Sequence, residues 1–164
     1  MSASFFEKMN KAEIERLYND ENLRRLKPDM ISQMELENER IGYLPPRIGE
    51  ECKQLLNITR DGKVMLTHFY YSGDFLGSDD EHREHTVEEW TVEPEIVDRI
   101  YKRTLGDFKY FYEPFMHDVG SWILRIKFNN EKCLERRCSN HTQPEGFSEY
   151  LRDILRRDDI YGCM

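Results

Sequence analysis

The residues most able to attract a charged partner lie between Asp74 and Glu95. This stretch holds nine acidic residues and a single base, Arg83, so its local charge of −8 equals the net charge of the whole chain of 164 residues. Clustered carboxylates attract a basic surface and raise its rate of encounter. The acids that we assign to partner binding are Asp74, Asp79, Asp80, Glu81, Glu84, Glu88 and Glu89.

Two histidines in the same stretch, His82 and His85, raise the alternative of a metal site. Imidazole and carboxylate groups are common ligands of divalent cations. However, residues three apart share a face only on a helix, and the stretch lacks the ligand alternation and the glycine of an EF-hand loop. We therefore expect no metal and no cofactor, and interpret the stretch as a solvated loop or a docking surface.

Nucleophilic or acid–base chemistry would have to come from His117 with Asp118, or from Cys138 with His141. A nucleophilic cysteine needs a base within hydrogen-bond distance and a group that stabilises the oxyanion. The sequence specifies no oxyanion site, and it contains no Walker-type, G-x-G-x-x-G or G-x-S-x-G loop. We assign no catalytic residue, and keep a small hydrolase or nuclease as an alternative.

An aromatic run over residues 108–115 offers a second binding feature. We assign Tyr110 and Tyr112 to partner binding, because tyrosine is frequent at interface hot spots. Packing in the core is the competing interpretation. Base stacking is disfavoured, since a nucleic-acid platform needs several cations and only Lys109 interrupts the run.

The basic residues of the second half of the chain give a further alternative, which is direct contact with RNA or DNA. They include Arg125, Lys127, Arg136 and Arg137 on a predicted hairpin. Acidic residues lie among them, so we expect most of these cations to form ion pairs within the protein.

An α+β fold is predicted to carry these groups. Apolar residues recur every three to four positions up to Leu26, and a second short helix is predicted from Pro28 to Leu36. Pro45 and Pro46 then mark a linker. We expect an N-terminal helical arm over residues 1–41 and an α+β body over residues 42–164, within one compact domain.

The body is predicted to contain two ββα units. In residues 52–72 and 121–139, apolar and polar residues alternate, which predicts two β-hairpins. The expected registers place Ile58 opposite Val64 and Ile126 opposite Leu134. Each hairpin precedes a predicted helix. The helices are expected from Pro94 to a stop at Gly106 and from Pro144 to Leu155. Together the elements predict an antiparallel sheet of about four strands with helices on one face.

The composition of the sequence also indicates the cellular compartment of the protein. No apolar run approaches the roughly 18 residues needed to cross a bilayer, and the first residues show no basic region followed by an apolar stretch. The four cysteines include no C-x-x-C pair, which is typical of reduced thiols. We expect a cytoplasmic protein with no membrane partner.

These observations favour a non-enzymatic interaction protein, an inhibitor or immunity-type module that docks its acidic loop on a basic protein. A nucleic-acid-handling enzyme is the expected kind of partner, because carboxylates can occupy a cationic groove that otherwise binds phosphates. Direct binding of nucleic acid is disfavoured, since phosphates repel an acidic chain. The N-terminal helices also offer a surface for a homodimer.

Overall fold

The fold is α+β. A computed structural model describes residues 5–39, 46–73, 84–112, 121–139 and 144–160. The helices within these ranges are α1 (Phe5–Asn19), α2 (Glu21–Arg24), α3 (Pro94–Phe108) and α4 (Phe147–Leu155), with a 3-10 turn at Pro28–Met30. The strands are β1 (Ile31–Glu39), β2 (Glu51–Thr59), β3 (Lys63–Tyr70), β4 (His85–Thr91), β5 (Ser121–Phe128) and β6 (Cys133–Ser139).

The described strands form one antiparallel sheet in the order β4-β3-β2-β1-β5-β6. The chain runs through β1 to β4 as a meander, and β5 and β6 follow α3 and lie on the other side of β1. β4 and β6 are thus the two edges. The sheet has six strands, so our expectation of about four was too low.

The first missed strand is β1, which we had expected to be helical from Pro28 to Leu36. Its side chains alternate: Met34, Leu36 and Asn38 are buried, and Glu35 and Glu37 between them are half-buried on the opposite face. This period of two is the strand pattern. It overlaps with a helix-like spacing of Met30, Ile31 and Met34, and that overlap produced the wrong prediction. β1 pairs with β2, which lies beyond the boundary expected at residue 41.

The second missed strand is β4, which lies inside the stretch interpreted as a loop. β-branched and aromatic residues favour strands, and Val87, Trp90 and Thr91 are of these types. The acidic residues around them concealed this preference.

Both predicted hairpin registers are confirmed. Ile58 lies opposite Val64, and Ile126 lies opposite Leu134. The first register depends on Gly62, whose φ of +90° is in the left-handed region that favours glycine. The alternating apolar residues then place one row of each hairpin in the core.

The core lies between one face of the sheet and the helices α3 and α4. Phe108 is fully buried and packs against Trp122 and Phe147. The helix therefore continues past Gly106, where we had expected it to stop. Burying the Phe108 side chain offsets the cost of about 1 kcal/mol for an internal glycine. Among the described residues, no helix is both long and apolar enough to cross a bilayer.

Candidate functional site

β4 is an exposed edge strand with acidic character. Six of its seven residues are exposed, and Trp90 is half-buried. The strand contains no lysine, arginine or proline, and it pairs with β3 without a register shift from Lys63↔Thr91 to Phe69↔His85. Cations, prolines and bulges are the usual means of protecting a sheet edge from a further strand. β4 has none of these three, and the charges that it carries, on Glu88 and Glu89, are negative.

The backbone of β4 offers hydrogen bonds to a further strand. Tyr70 N donates to Glu84 O at 2.9 Å, and Val92 N donates to Gly62 O at 2.9 Å. In an antiparallel pair, every second residue directs its N–H and C=O groups toward the neighbouring strand. Because residues 84 and 92 do so, the even-numbered residues of β4 direct these groups toward β3. It follows that Val87 and Glu89 direct theirs away from the sheet. The Val87 side chain is also 48% exposed.

The structure describes three of the seven acids that the sequence assigned to partner binding. Glu89 Oε2 lies 3.2 Å from Lys63 Nζ on the surface. Glu88 forms an ion pair with Arg157. Glu84 is exposed and has no ion pair with the described part of the chain. The other four, Asp74, Asp79, Asp80 and Glu81, lie outside the described residues.

The two tyrosines assigned to partner binding are both half-buried and pack against the core. The Tyr110 ring stacks on the Tyr18 ring of α1, with 4.4 Å between centroids and 15° between planes. Tyr110 therefore joins α1 to the segment that follows α3, which is the packing role weighed as the alternative.

A polar cluster that the sequence did not reveal lies next to β4, on the sheet face that the helices cover. It is centred on His68 of β3, whose side chain is only 9% exposed. His68 Nδ1 lies 2.6 Å from Glu51 Oε1. Gln54 Nε2 donates to the same Glu51 oxygen at 2.9 Å and to the backbone O of Asp159 at 2.7 Å. The imidazole is thus oriented by a carboxylate.

An irregularity in β2 explains how Glu51 reaches His68. In a regular strand Glu51 would share a face with Lys53, opposite the inward-facing Gln54. The register shifts between Glu51 and Lys53, and Glu51 lies on the side of His68. A β-bulge commonly redirects one side chain in this way.

The segment after α4 completes the cluster. α4 ends at Leu155, and the next residue, Arg156, has a left-handed φ of +54°. Arg157 N then donates to Arg152 O at 3.0 Å. Ile160 is buried, and its O accepts from Arg152 Nη1 at 3.2 Å. These contacts place Asp159 Oδ2 at 3.8 Å from His68 Nε2.

Arg157 links this segment to β4. Its Nη2 donates to Glu88 and to Asp159, and its Cζ lies 4.9 Å from the centroid of the Trp90 ring. The hydrogen bonds with Asp159 and Glu88 raise the pKa of Arg157. The hydrogen bond from Arg157 lowers the pKa of Asp159. The guanidinium is therefore an internal counterion for two carboxylates.

Arg125, a central cation of the second hairpin, is engaged within the protein. Arg125 Nη1 donates to Glu35 at 2.7 Å and to Glu37 at 2.9 Å, and Arg125 Nε donates to Glu135 at 3.3 Å. The hydrogen bonds with Glu37 and Glu35 raise the pKa of Arg125. Burial alone would raise the pKa of Glu37, but hydrogen bonds with Arg125 and Lys53 outweigh it and lower that pKa. Arg125 is thus committed to internal acids rather than available to phosphates.

The side chains considered for nucleophilic chemistry lie outside the described part of the chain. Cys138 lies on β6 opposite Trp122, and its side chain is outside that part, as are His82, His117, Asp118 and His141. The described residues do contain one group suited to holding a metal ion, His68, Glu88 and Asp159, whose ligand atoms lie within 4.8 Å of one another.

No known protein family, curated protein or solved structure matches this chain. β4 and the His68 cluster are therefore the features of the described residues from which we infer a function.

Proposed function

We propose that this chain is a protein-interaction module that binds an extended, basic segment of a partner protein along β4. The observation that carries the proposal is the combination of an exposed edge, outward backbone groups and acidic side chains on one strand. A strand added to a sheet edge gains main-chain hydrogen bonds, and the side chains on each face select its sequence.

The charges on β4 and just before it specify the chemistry of that segment. Glu84 has no ion pair with the described residues, and Glu89 has only a surface pair with Lys63. Surface pairs contribute about 0–1 kcal/mol, so a lysine or arginine of the partner can replace Lys63 at little cost. Asp74, Asp79, Asp80 and Glu81 precede β4 in the sequence and add four negative charges.

Basic extended segments are common where proteins bind phosphate backbones. Occupying such a segment would block nucleic acid by competition, so we propose an inhibitor of a nucleic-acid-handling enzyme as the biological form of this module. The clustered acids support this choice, since they favour fast association with a cationic surface.

A defined peptide tests the binding mode. The probe is a fluorescently labelled seven-residue peptide of alternating lysine and valine, measured by anisotropy at low and at physiological salt. We expect binding that weakens as salt rises. Amide hydrogen exchange followed by NMR should show new protection at Val87 and Glu89, because their N–H groups point away from β3.

Matched variants separate a specific site from general attraction. Replacing Glu84→Gln together with Glu89→Gln should weaken peptide binding about fivefold at low salt, since each exposed charge contributes a few tenths of a kcal/mol or more. The control pair Glu15→Gln and Asp29→Asn removes the same charge from exposed positions on α1 and the 3-10 turn. Equal weakening by both pairs, or protection outside β4, would reject the proposal.

A further inference from the structure

The orientation of His68 determines which of its ring nitrogens can bind a ligand. Nδ1 lies 2.6 Å from the carboxylate of Glu51, which can only accept a hydrogen bond while it is ionised. Nδ1 therefore carries the proton, and in the neutral ring Nε2 presents a lone pair. Histidines that bind metals are commonly oriented in this way, with the other nitrogen donating to a carboxylate.

Nε2 of His68 lies near an oxygen of Asp159 but forms no hydrogen bond with it. Asp159 Oδ2 is 3.8 Å away, which is beyond hydrogen-bond distance, and no hydrogen bond joins Nε2 to any described residue. The side chain is 9% exposed, so water has little access to it. The pair thus offers a ring nitrogen beside a partly exposed carboxylate, and these are two of the ligand types that a divalent cation takes.

Glu88 supplies a third ligand on the same side. A ring nitrogen of His68 and one oxygen each of Glu88 and Asp159 lie within 4.8 Å of one another. Zinc bonds to nitrogen and oxygen of about 2.0–2.2 Å imply about 3.3–3.6 Å between ligand atoms in a tetrahedral site. To bind zinc, these ligand atoms need to approach one another by about 1.5 Å at most. The side chains of Glu88 and Asp159 are 48% and 45% exposed, so they have room to move.

A cation already lies at this position, because Arg157 donates to both carboxylates. Arg157 is therefore a competitor that an incoming ion must displace. The contact of its guanidinium with the Trp90 ring requires neither Glu88 nor Asp159, so the arginine keeps a favourable position after displacement.

We propose that His68 Nε2, Glu88 and Asp159 bind one divalent transition-metal cation of zinc type, in competition with Arg157. Glu51 acts as a positioning residue that holds the imidazole. The imidazole ligand favours zinc and its neighbours over magnesium and calcium, which prefer oxygen ligands alone. The site is separate from strand addition at β4 and does not depend on it.

Zinc titration tests the site. The purified chain is treated with a chelator and titrated with zinc chloride by calorimetry, and the cobalt absorption spectrum is recorded as an independent readout of coordination. We expect one zinc per chain at this site and no comparable binding of magnesium. His68→Gln and Asp159→Asn should each weaken zinc binding at least tenfold, and Arg157→Gln should strengthen it by removing the competitor.

Two control variants exclude other ligands. His85→Gln removes an exposed imidazole from β4, and Cys133→Ser removes an exposed thiol, and both should leave the affinity unchanged. If His68→Gln is unfolded by circular dichroism, Asp159→Asn decides, because its carboxylate is exposed. Zinc binding that survives in Asp159→Asn, or that is absent from both the wild type and Arg157→Gln, would overturn the proposal.

Discussion

The two edges of the sheet differ in the sign of their charged side chains and in how fully these are paired within the protein. On β6, Arg136 donates to Phe108 O at 3.0 Å and to Lys109 O at 2.8 Å, at the end of α3. Arg137 Nε donates to Glu135 at 2.8 Å. At β4, Glu88 pairs with Arg157 and Glu89 has a surface pair with Lys63, whereas Glu84, just before the strand, has no ion pair within the described residues. The strand carries no lysine or arginine of its own.

This contrast shows that charge alone does not identify a binding surface. Burial lowers the pKa of Arg136, and the hydrogen bond with Arg137 lowers the pKa of Glu135. These charges at β6 stabilise the fold, and the cations also discourage pairing with another strand. At β4 the acids exceed the cations that neutralise them, so β4 is the edge that can attract a partner.

Gly62 allows the close approach between the β2–β3 turn and Val92, the residue that follows β4. A Cβ at this position would lie 2.3 Å from the O of Val92, and the φ of +90° is unfavourable for other residues. We expect Gly62→Ala to lower the free energy of unfolding by about 3–4 kcal/mol, through left-handed strain and displacement of Val92. Urea denaturation measures the loss, and hydrogen exchange should show the earliest opening in β4.

Gly49 provides the matched control. Its φ of +82° is similarly left-handed, but a Cβ there meets nothing within 4 Å. Gly49→Ala should therefore cost only the backbone strain of about 1–2 kcal/mol. If the two variants are equally destabilised, the contact with Val92 is not what attaches β4.

At the other edge, Arg136 is expected to be structural. Arg136→Met keeps much of the side-chain length but removes the donors to Phe108 O and Lys109 O, leaving both carbonyls without these partners. The expected loss is about 2–3 kcal/mol in urea denaturation. Arg137→Met removes an exposed cation of the same strand and should cost less than about 1 kcal/mol. A similar loss in both would mean that β6 is not anchored through Arg136.

The parts of the fold that were predictable are those specified by local sequence. Alternating apolar residues and a glycine turn define the register of β2 and β3, because a slip by one residue would expose Leu56 and Ile58. β1 was not predictable in the same way. Its role depends on pairing with both β2 and β5, and a short segment with ambiguous spacing does not reveal two distant partners.

The candidate site was predictable only in its exposed part. The acids of β4 were recognised from their clustering, although the strand itself was not. The His68 cluster joins Glu51, Glu88 and Asp159, which are distant in sequence and meet only through the sheet order and the segment after α4. The available signal was His68 itself, which continues the inward alternation of Val64 and Leu66.

The smallest expected effect concerns the link between β4 and the segment after α4. Arg157→Gln removes the donor to Glu88 and Asp159, and we expect a loss of about 1 kcal/mol or less at neutral pH, since these carboxylates are partly exposed. Arg25→Gln is the control, because its pair with Glu21 is highly exposed and its loss should be close to zero.

The pH dependence identifies the carboxylate involved. Arg157 lowers the pKa of Asp159 from 3.8, so the folded state binds this proton less readily than the unfolded chain. The stabilisation by this ion pair is therefore present above pH 3.8, and it is lost as the pH falls through the lower pKa that Asp159 has in the folded state. Urea denaturation at pH 7 and at successively lower pH should show the wild type and Arg157→Gln converging in acid. A difference that persists unchanged would mean that Arg157 acts through Trp90 packing instead, and that β4 is held without this ion pair.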